Sequence, residues 1–372
     1  MKTALSFDDV LLVPRKSEIK SRGDVILYSE LKETFFGFNL PIISSPMDTV
    51  TGKKMINSMK DYGGVGIAHR YCSIEEQVDM ITIEEPEKRK HLNFPDMWLK
   101  GSSRGLFSVE YPPHLEEPYT SRTPPGAAIG ATGDYLERAQ ELVKAGCNLI
   151  CVDVAHGHHV SVRGALKALK AQFGDDVILI AGNVATAKGF KDLSKWGADA
   201  IRVGIGGGSI CSTRLQTGHG VPTLQSIIDC AESGCDAKII ADGGIRNAGD
   251  IVKAYAAGAD FVMLGSMLAG TDQTPGQVFS SQDGKKYKVY RGMASVEAQV
   301  DWRGQARSLE GISTTIPYKG CVGKILQNLE QNIRSGLSYS GAEHLLDLYC
   351  NSKFVRQTQA GMRESFTHIL NK

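Results

Sequence analysis

The sequence lacks the features that mark several specialised protein classes. It contains no run of 18 apolar residues, so it predicts no membrane-spanning segment. The acidic residues Asp8 and Asp9 come before an apolar signal-peptide core could form. The eight cysteines are scattered and form no C-x-x-C pair, which disfavours a disulfide scaffold or a zinc site. These absences predict a reduced, cytoplasmic protein that does not bind membranes.

An excess of charge of one sign is also lacking. Lys and Arg total 42 and Asp and Glu total 41, which gives a formal net charge of +1. Without a basic stretch, the chain is not expected to bind nucleic acid. Hydrophobic residues make up 42%, enough for a large core. Glycine is abundant, at 41 of 372 residues, against a usual share of about 7%, which predicts many turns or close backbone contact with a ligand.

A repeating pattern runs along most of the chain: a short apolar segment, a turn, and an amphipathic helical stretch. Continuous apolar runs of this length predict parallel strands that are buried on both faces. Eight such units favour a closed (β/α)8 barrel, or TIM barrel, as a single domain over residues 1–372, with an open doubly wound sheet as the alternative. The predicted helices include 135–145, 160–173, 223–231 and 248–257. The predicted strands are 40–44, 64–68, 127–130, 149–154, 177–181, 200–203, 238–241 and 261–264.

Two intervals interrupt this pattern. Residues 84–125 are rich in Pro, Glu, Lys and Arg and show no periodicity, so we expect an irregular insertion that the chemistry does not need. Residues 276–319 follow the eighth strand and contain a predicted hairpin at 284–290 and then a polar, mobile segment. Because the active site of such a barrel lies at the carboxyl ends of the strands, we expect 276–319 to form a flap over it.

The loop after the sixth predicted strand carries the densest set of candidate functional residues. Residues 204–211 read Gly-Ile-Gly-Gly-Gly-Ser-Ile-Cys, and such glycines let the backbone approach a ligand. Ser209 is placed to bind phosphate, and Cys211 lies in a polar loop where a thiolate can act as a nucleophile. The alternative is that Cys211 is an inert thiol, as we expect for most of the other seven cysteines.

The loops after the seventh and eighth strands indicate a phosphate site. Asp242, Gly243 and Gly244 follow strand seven, and Gly265 and Ser266 follow strand eight. Loops at these two places form the recurrent phosphate site of TIM barrels. Asp242 is then placed to bind ribose hydroxyls. The alternative is a set of ordinary turn glycines with a capping aspartate.

Seven motifs are spread over nearly the whole chain outside residues 84–125. They are Ser-Phe-Asp-Asp-Val-Leu-Leu-Val-Pro at 6–14, Ser-Ser-Pro-Met-Asp-Thr-Val at 44–50, Asp-Val-Ala-His-Gly-His at 153–158, Ala-Gly-Asn-Val at 181–184, the loop at 204–211, Asp-Gly-Gly at 242–244 and Tyr-Arg-Gly-Met at 290–293. Together they resemble the family of inosine-5'-monophosphate (IMP) dehydrogenases and guanosine-5'-monophosphate (GMP) reductases. The regulatory CBS domains of many members are missing, and residues 84–125 take their place.

The resemblance implies a TIM barrel, assembled as a homotetramer, in which a cysteine attacks C2 of a purine nucleotide monophosphate while a nicotinamide cofactor exchanges a hydride there. The implied catalytic residues are Cys211, Thr213 and Glu310. The implied substrate-binding residues are Ser45, Met47, Ser209, Asp242, Gly244, Gly265, Ser266, Gly292, Met293 and Arg307. The implied cofactor-binding residues are Asp153, Ala155 and Asn183, and a K+ ion is implied at the carbonyls of Gly206, Gly208 and Cys211.

Two positions depart from the family pattern. Gly207 replaces the proline of the usual Gly-Ile-Gly-Pro-Gly-Ser loop, and Ser212 replaces the usual threonine. Because proline fixes φ, its replacement by glycine is expected to loosen the loop in the free enzyme.

Residues 292–310 bear on the direction of the reaction. The dehydrogenases of the family hydrolyse a covalent thioimidate with an Arg-Tyr pair on the flap, whereas the reductases release ammonia and need a proton donor. The segment contains no tyrosine, and Arg307 and Glu310 match the spacing of the reductases. We therefore expect NADPH-dependent conversion of GMP to IMP and ammonia. The alternatives are an IMP dehydrogenase that uses NAD and a nucleotide-binding regulator without turnover. The dehydrogenase is favoured by Ala-His-Gly-His at 155–158, Ala-Asp-Gly-Gly-Ile at 241–245 and Gly-Thr-Asp at 270–272.

Overall fold

The structure is a computed structural model that describes residues 3–32, 37–82, 124–307 and 309–367. The insertion predicted at 84–125 lies almost entirely outside these ranges, so its irregular structure stays a prediction. Within the described ranges, no helix is both long enough and apolar enough to cross a bilayer.

Three short strands precede the barrel: β1 (Val10–Leu12), β2 (Ser29–Glu30) and β3 (Gly37–Phe38). Strands β2 and β3 pair in antiparallel orientation. The ring of Phe38 packs edge-on against that of Phe261, with ring centroids 5.4 Å apart. Because Phe261 begins the last barrel strand, this pair of strands lies at the amino-terminal end of the barrel, and the opposite end remains for a ligand.

Eight parallel strands close into a barrel, which confirms the predicted fold. They run around it in the order β10-β11-β4-β5-β6-β7-β8-β9, so the first and last barrel strands are hydrogen-bonded neighbours. Nearly all of their residues are buried, as continuous apolar runs predict. Their bounds are β4 (Ile42–Ser44), β5 (Val65–Ala68), β6 (Gly126–Ile129), β7 (Leu149–Asp153), β8 (Ile178–Val184), β9 (Ala200–Val203), β10 (Lys238–Asp242) and β11 (Phe261–Leu264).

The side chains of strand β7 alternate between two hydrophobic clusters. Leu149 and Cys151 belong to the cluster inside the barrel, whereas Ile150 and Val152 belong to the larger cluster between the strands and the helices. This division follows from the two-residue period of a strand. Asp153 ends the strand and is only half-buried, so the change from apolar to acidic marks the rim of the barrel.

Amphipathic helices alternate with the strands on the outside. Helix α1, for example, buries Met55, Ile56 and Met59 on one face. The predicted helices agree with the structure to within one residue at each end. The bounds are α1 (Lys53–Asp61), α2 (Ile74–Ile81), α3 (Tyr135–Lys144), α4 (Val160–Phe173), α5 (Ala187–Lys195), α6 (Thr213–Thr217), α7 (Thr223–Ala231) and α8 (Ala248–Ala256).

The flap is more regular than the sequence predicts. Strands β12 (Phe279–Ser280), β13 (Lys286–Arg291) and β14 (Ser313–Pro317) form an antiparallel sheet. Helix α9 (Val296–Arg303) lies in the segment that was expected to be mobile. Ser295 caps this helix by accepting a hydrogen bond from the Ala298 amide, and Gly304 ends it with a φ of 71°. These local signals explain the helix; the mobility of the flap stays a prediction.

The carboxyl-terminal elements return to the barrel. They are α10 (Val322–Tyr339), α11 (Leu345–Asn351), β15 (Phe354–Arg356) and α12 (Gln359–Glu364). Helix α10 buries Leu326, Ile333 and Leu337. Strand β15 pairs with β1 in antiparallel orientation, so the two ends of the described chain meet.

Candidate active site

A cavity of about 430 Å³ opens at the carboxyl ends of the barrel strands, below the flap. All but one of the residues predicted for the site contribute to its lining; the exception is Arg307. The lining includes Ser45, Met47, Asp153, Ala155, Asn183, Gly206, Gly208, Ser209, Cys211, Thr213, Asp242, Gly244, Gly265, Ser266, Gly292, Met293 and Glu310. A larger cavity of about 930 Å³ lies outside the barrel between α8 and α10, and no predicted site residue appears in its lining.

Cys211, Thr213 and Glu310 form a chain of hydrogen bonds. The Cys211 thiol donates to Thr213 Oγ1 at 3.2 Å, and the Thr213 hydroxyl donates to Glu310 Oε2 at 2.7 Å. Cys211 is exposed and Thr213 and Glu310 are half-buried. A proton that leaves the thiol therefore has a direct path through one hydroxyl to a carboxylate.

Backbone contacts join the cysteine loop to the flap. The Ser212 amide donates to the Glu310 carbonyl at 2.8 Å, and the Ile312 amide donates to the Ile210 carbonyl at 3.1 Å. Cys211 and Gly311 form an antiparallel bridge between these contacts. The position of the Glu310 carboxylate thus depends on the flap lying against the loop.

Four of the other cysteines are buried, whereas Cys211 is exposed. Burial raises the pKa of the Cys72 thiol to about 11, and it raises the pKa values of Cys147, Cys151 and Cys230 to about 12. Thiols with such pKa values are almost fully protonated near neutral pH and are poor nucleophiles. The structure therefore agrees with the expectation that most of the other cysteines are inert.

A polar cradle lies on the side of the cavity where phosphate binding is predicted. Ser209 Oγ lies 3.4 Å from the hydroxyl of Tyr290, a buried residue of β13. Burial raises the pKa of Tyr290, which keeps its hydroxyl protonated as a donor. A Cβ at Gly265 would lie only 3.2 Å from the Tyr290 hydroxyl, so a larger residue there would crowd this hydroxyl. The left-handed φ of 79° at Gly244 likewise favours glycine.

A second polar network joins four barrel strands, β7 to β10. Asn183 Nδ2 donates to Asp242 Oδ2 and to the Gly204 carbonyl, both at 2.8 Å. The guanidinium of Arg202 donates to Asp242 Oδ2 from Nε and Nη2 at 3.1 and 2.9 Å, and Nη1 donates to Asp153 Oδ1. The residues predicted to bind the cofactor and the ribose are therefore connected through Arg202.

Arg202 and Tyr290 are site residues that reasoning from the sequence missed. Arg202 could have been recognised from the sequence, because it is a charged residue inside the apolar run 200–203. A buried arginine requires paired acceptors. Burial alone lowers the pKa of Arg202, but the Asp153 and Asp242 carboxylates raise it well above its usual value. Tyr290 belongs to a motif that was noted, yet its buried position became visible only in the fold.

The two methionines predicted to surround the base lie near an ion-pair cluster. The Asp48 amide lies 3.4 Å from Met293 Sδ, and Met47 lines the cavity beside it. Arg291 Nη2 and Nη1 lie 2.6 Å from carboxylate oxygens of Asp48 and Asp301, respectively. Because Asp301 is in α9, Arg291 ties the flap helix to the loop after β4.

Trp302 also holds α9 against the barrel. Its ring stacks on that of Tyr71, with centroids 5.7 Å apart and an interplanar angle of 14°. The buried guanidinium of Arg138 lies 5.9 Å from the centroid of the Trp302 ring. Tyr71 lines the cavity, so this contact lies at the cavity mouth.

Arg307 is not brought into the cavity. Its side chain is exposed, and its amide donates to Gln299 Oε1 at 3.1 Å. Its predicted role in contacting the base stays a prediction.

The carbonyls proposed for K+ are partly engaged by the protein. The Gly208 carbonyl accepts the Cys211 amide at 3.1 Å. The Arg214 guanidinium donates to the Ile205 carbonyl at 3.2 Å, and a Cβ at Gly206 would lie 2.5 Å from Arg214 Cγ. A positive group therefore already lies beside this loop, and the donor set does not complete a cation site by itself. The K+ site stays a prediction, and no catalytic step below depends on it.

A match to a family model establishes the relationship that the motifs suggested. The model described as IMP dehydrogenase / GMP reductase domain matches residues 4–368. The chain belongs to this family. It is therefore an oxidoreductase of the IMP dehydrogenase / GMP reductase type, as the resemblance predicted.

The chain is similar both to proteins named as IMP dehydrogenases and to proteins named as GMP reductases. The chain is 35% identical to inosine-5'-monophosphate dehydrogenase of Nitrosopumilus maritimus, over 99% of this chain and 98% of the relative. It is also 35% identical to GMP reductase of Leishmania major, over 99% and 97%. Its fold matches the crystal structure of a cysteine-to-alanine variant of GMP reductase from Trypanosoma brucei in complex with guanosine 5'-monophosphate. That match has a TM-score of 0.85 and 33% identity, over 99% of this chain and 98% of that one.

Proposed function

We propose that the protein is a GMP reductase that uses NADPH to convert GMP to IMP and ammonia through a covalent bond to Cys211. The hydrogen-bonded chain Cys211–Thr213–Glu310 carries this proposal. It provides a nucleophile, a relay and a carboxyl group that can protonate a leaving amine. The GMP bound by the Trypanosoma brucei relative supports a purine nucleotide monophosphate as the substrate class.

The cavity offers a separate place for each part of the nucleotide. Ser209, Gly244, Gly265 and Ser266 surround the position for the 5'-phosphate, with the Tyr290 hydroxyl as a further donor. Glycine-lined loops at the ends of the last two strands suit phosphate because their amides point at it. Asp242 then accepts ribose hydroxyls, and the base extends between Met47 and Met293 toward Cys211.

The first step replaces the C2–N bond of GMP with a C2–S bond. Cys211 Sγ attacks C2, and the thiol proton passes to Thr213 as the Thr213 proton passes to Glu310. Glu310 then acts as the acid and returns this proton through the relay to the leaving amino group, which departs as ammonia. Atoms balance, because the thiol hydrogen becomes the third hydrogen of ammonia.

The second step releases IMP. Asp153, Ala155 and Asn183 would hold a nicotinamide cofactor, which would supply a hydride to C2 when bound. The C2–S bond breaks, the sulfur leaves as a thiolate, and the thiolate takes one proton from solvent to restore Cys211. The role of the protein here is to hold C2 beside the cofactor and to keep water out under the flap.

The dehydrogenases of the family activate water with an Arg-Tyr pair on the flap, and no arginine among the described flap residues lines the cavity. Arg303 of α9 lies over the ring of Tyr71, 5.8 Å from its centroid. It therefore contacts the face of the ring, and Arg303 is not part of the cavity lining. The NADPH preference, a homotetrameric assembly and a cytoplasmic location remain predictions.

The two reactions are separated by assaying both with one preparation. With GMP and NADPH we expect multiple turnovers that consume NADPH and release ammonia. With IMP and NAD we expect production of xanthosine monophosphate (XMP) to be at least about 100-fold slower, the usual minimum contribution of a missing general base. Sustained XMP formation at a comparable rate would instead support the dehydrogenase, and an Arg303→Met variant would then test whether Arg303 activates the water.

Trp302→Ala is expected to raise the KM for both GMP and NADPH. Loss of one stacked aromatic contact at the flap costs about 1 kcal/mol beyond the loss of buried area. This lowers the ratio of molecules with a closed flap to those with an open flap by about fivefold. Trp302→Phe retains a ring and should behave nearly as the wild type. Val300→Ala is the matched control, because Val300 is exposed on the same helix. Unchanged KM values for Trp302→Ala would show that the stack does not hold the flap.

A further inference from the structure

Arg202 is a charged residue inside the barrel wall for which the proposed steps supply no role. It lies in β9, and its side chain is only 8% exposed. Its guanidinium contacts carboxylates at the carboxyl ends of two other strands, Asp153 of β7 and Asp242 of β10. A buried charge placed between two acids in a cavity wall requires an explanation, because desolvating it is costly.

The two carboxylates belong to different halves of the cavity. Asp153 lies on the side proposed for the cofactor, beside Ala155, and Asp242 lies beside the glycine loop proposed for the nucleotide. Nη1 of Arg202 donates a hydrogen bond to Asp153, and Nε and Nη2 donate hydrogen bonds to Asp242. One planar guanidinium, with donors in a fixed arrangement, therefore spans both halves.

These contacts leave specific oxygens for ligands. Asp242 Oδ2 accepts from Nε and Nη2 of Arg202 and from Asn183 Nδ2. Within the part of the chain that the structure describes, Asp242 Oδ1 accepts no protein hydrogen bond. Asp153 Oδ2 forms an ion pair with Arg70 Nε at 3.8 Å, which is beyond hydrogen-bond distance, so this oxygen can still accept a hydrogen bond from a ligand. Each carboxylate thus has one oxygen held by Arg202 and one available to a ligand.

We propose that Arg202 is a positioning residue that couples the two halves of the cavity by turning one oxygen of Asp153 to the cofactor and one of Asp242 to the nucleotide. The proposal rests on the proposed function for the identity of the two ligands. Removal of the guanidinium leaves two carboxylates that repel each other, with only Asn183 still bonded to Asp242 and only the 3.8 Å ion pair with Arg70 left at Asp153.

Two substitutions at this position test the proposal. In Arg202→Met we expect the KM for GMP and the KM for NADPH to rise together, each by about tenfold or more, with a smaller change in kcat. Arg202→Lys keeps the charge but not the paired donors, so it should recover only part of the loss. Arg334→Met is the matched control, since Arg334 is a largely buried arginine of α10 that pairs with Glu330 at 2.9 Å; it should lower the Tm and leave both KM values unchanged.

A double variant tests the coupling itself. Asp153→Asn alone should raise the KM for NADPH and hardly affect that for GMP. In the Arg202→Met background, Asp153→Asn removes the repulsion and should lower the KM for GMP relative to Arg202→Met alone.

Lower kcat at unchanged KM in both Arg202 variants would overturn the proposal, because that pattern reflects only a smaller folded fraction. If the wild type oxidises IMP with NAD and does not reduce GMP, the proposed function is wrong. The KM values of the Arg202 variants for IMP and NAD then decide the role of Arg202 in the same way. Calorimetric titration with GMP or IMP gives the nucleotide affinities even without turnover.

Discussion

Cys211→Ala is expected to abolish turnover, with a loss of about 10⁴-fold or more, because no other cysteine among the described residues lines the cavity to form the bond to C2. Nucleotide binding should persist, because the phosphate and ribose contacts come from other residues. Steady-state assays measure the loss, and calorimetric titration with GMP measures the retained affinity. Wild-type enzyme should also be inactivated by a thiol-alkylating reagent and be protected by GMP.

The control for this prediction is Cys350→Ala. Cys350 is an exposed cysteine of α11 and is not part of the cavity lining, so its removal should leave activity unchanged. If Cys211→Ala kept more than a few per cent of the wild-type rate, covalent catalysis would have to be abandoned.

Glu310→Gln is expected to suppress ammonia release by about 10² to 10⁴-fold, the usual range for a general acid or base. Glutamine retains the shape of the side chain and cannot take a proton from Thr213. The hydride step should be much less affected, because it breaks the C2–S bond without protonating an amine. The two steps can be measured separately, since IMP and NADP+ run the second step in reverse and yield one equivalent of NADPH.

We therefore expect Glu310→Gln to retain most of the NADPH burst from IMP and NADP+ while losing GMP turnover. Glu297→Gln is the matched control, since Glu297 is exposed on α9 of the same flap. Thr213→Val should resemble Glu310→Gln, and the double variant should be hardly worse than either alone, because both interrupt one relay. Equal losses in both steps would point to a structural role for Glu310.

Local sequence was enough to predict the scaffold of this protein. The eight strands could be read from short apolar runs such as 149–154, because a strand in a parallel barrel is buried on both faces and needs no partner to be recognised. Cys211 and Thr213 are two residues apart in one loop, so their proximity followed from the sequence. The flap helix was missed although Ser295 and Gly304 mark its ends, because its composition resembles that of a polar loop.

Three features of the site depended on contacts across the fold. The Thr213–Glu310 hydrogen bond joins residues 97 positions apart, and only family resemblance suggested that pair in advance. The contact of Trp302 with Tyr71 and the link that Arg202 makes between Asp153 and Asp242 were absent from the sequence-based predictions.

The sequence by itself determined the barrel, the order of its loops and the family, because periodic burial and contiguous motifs are local properties of the chain. The tertiary structure alone decided which charge pairs with which, because β7, β9 and β10 come together only when the strands assemble side by side in the barrel. A buried arginine can be recognised from its apolar neighbours, but the acceptors that stabilise it lie on other strands. In that assembly Arg202, a charged residue in an apolar strand, contacts both Asp153 and Asp242.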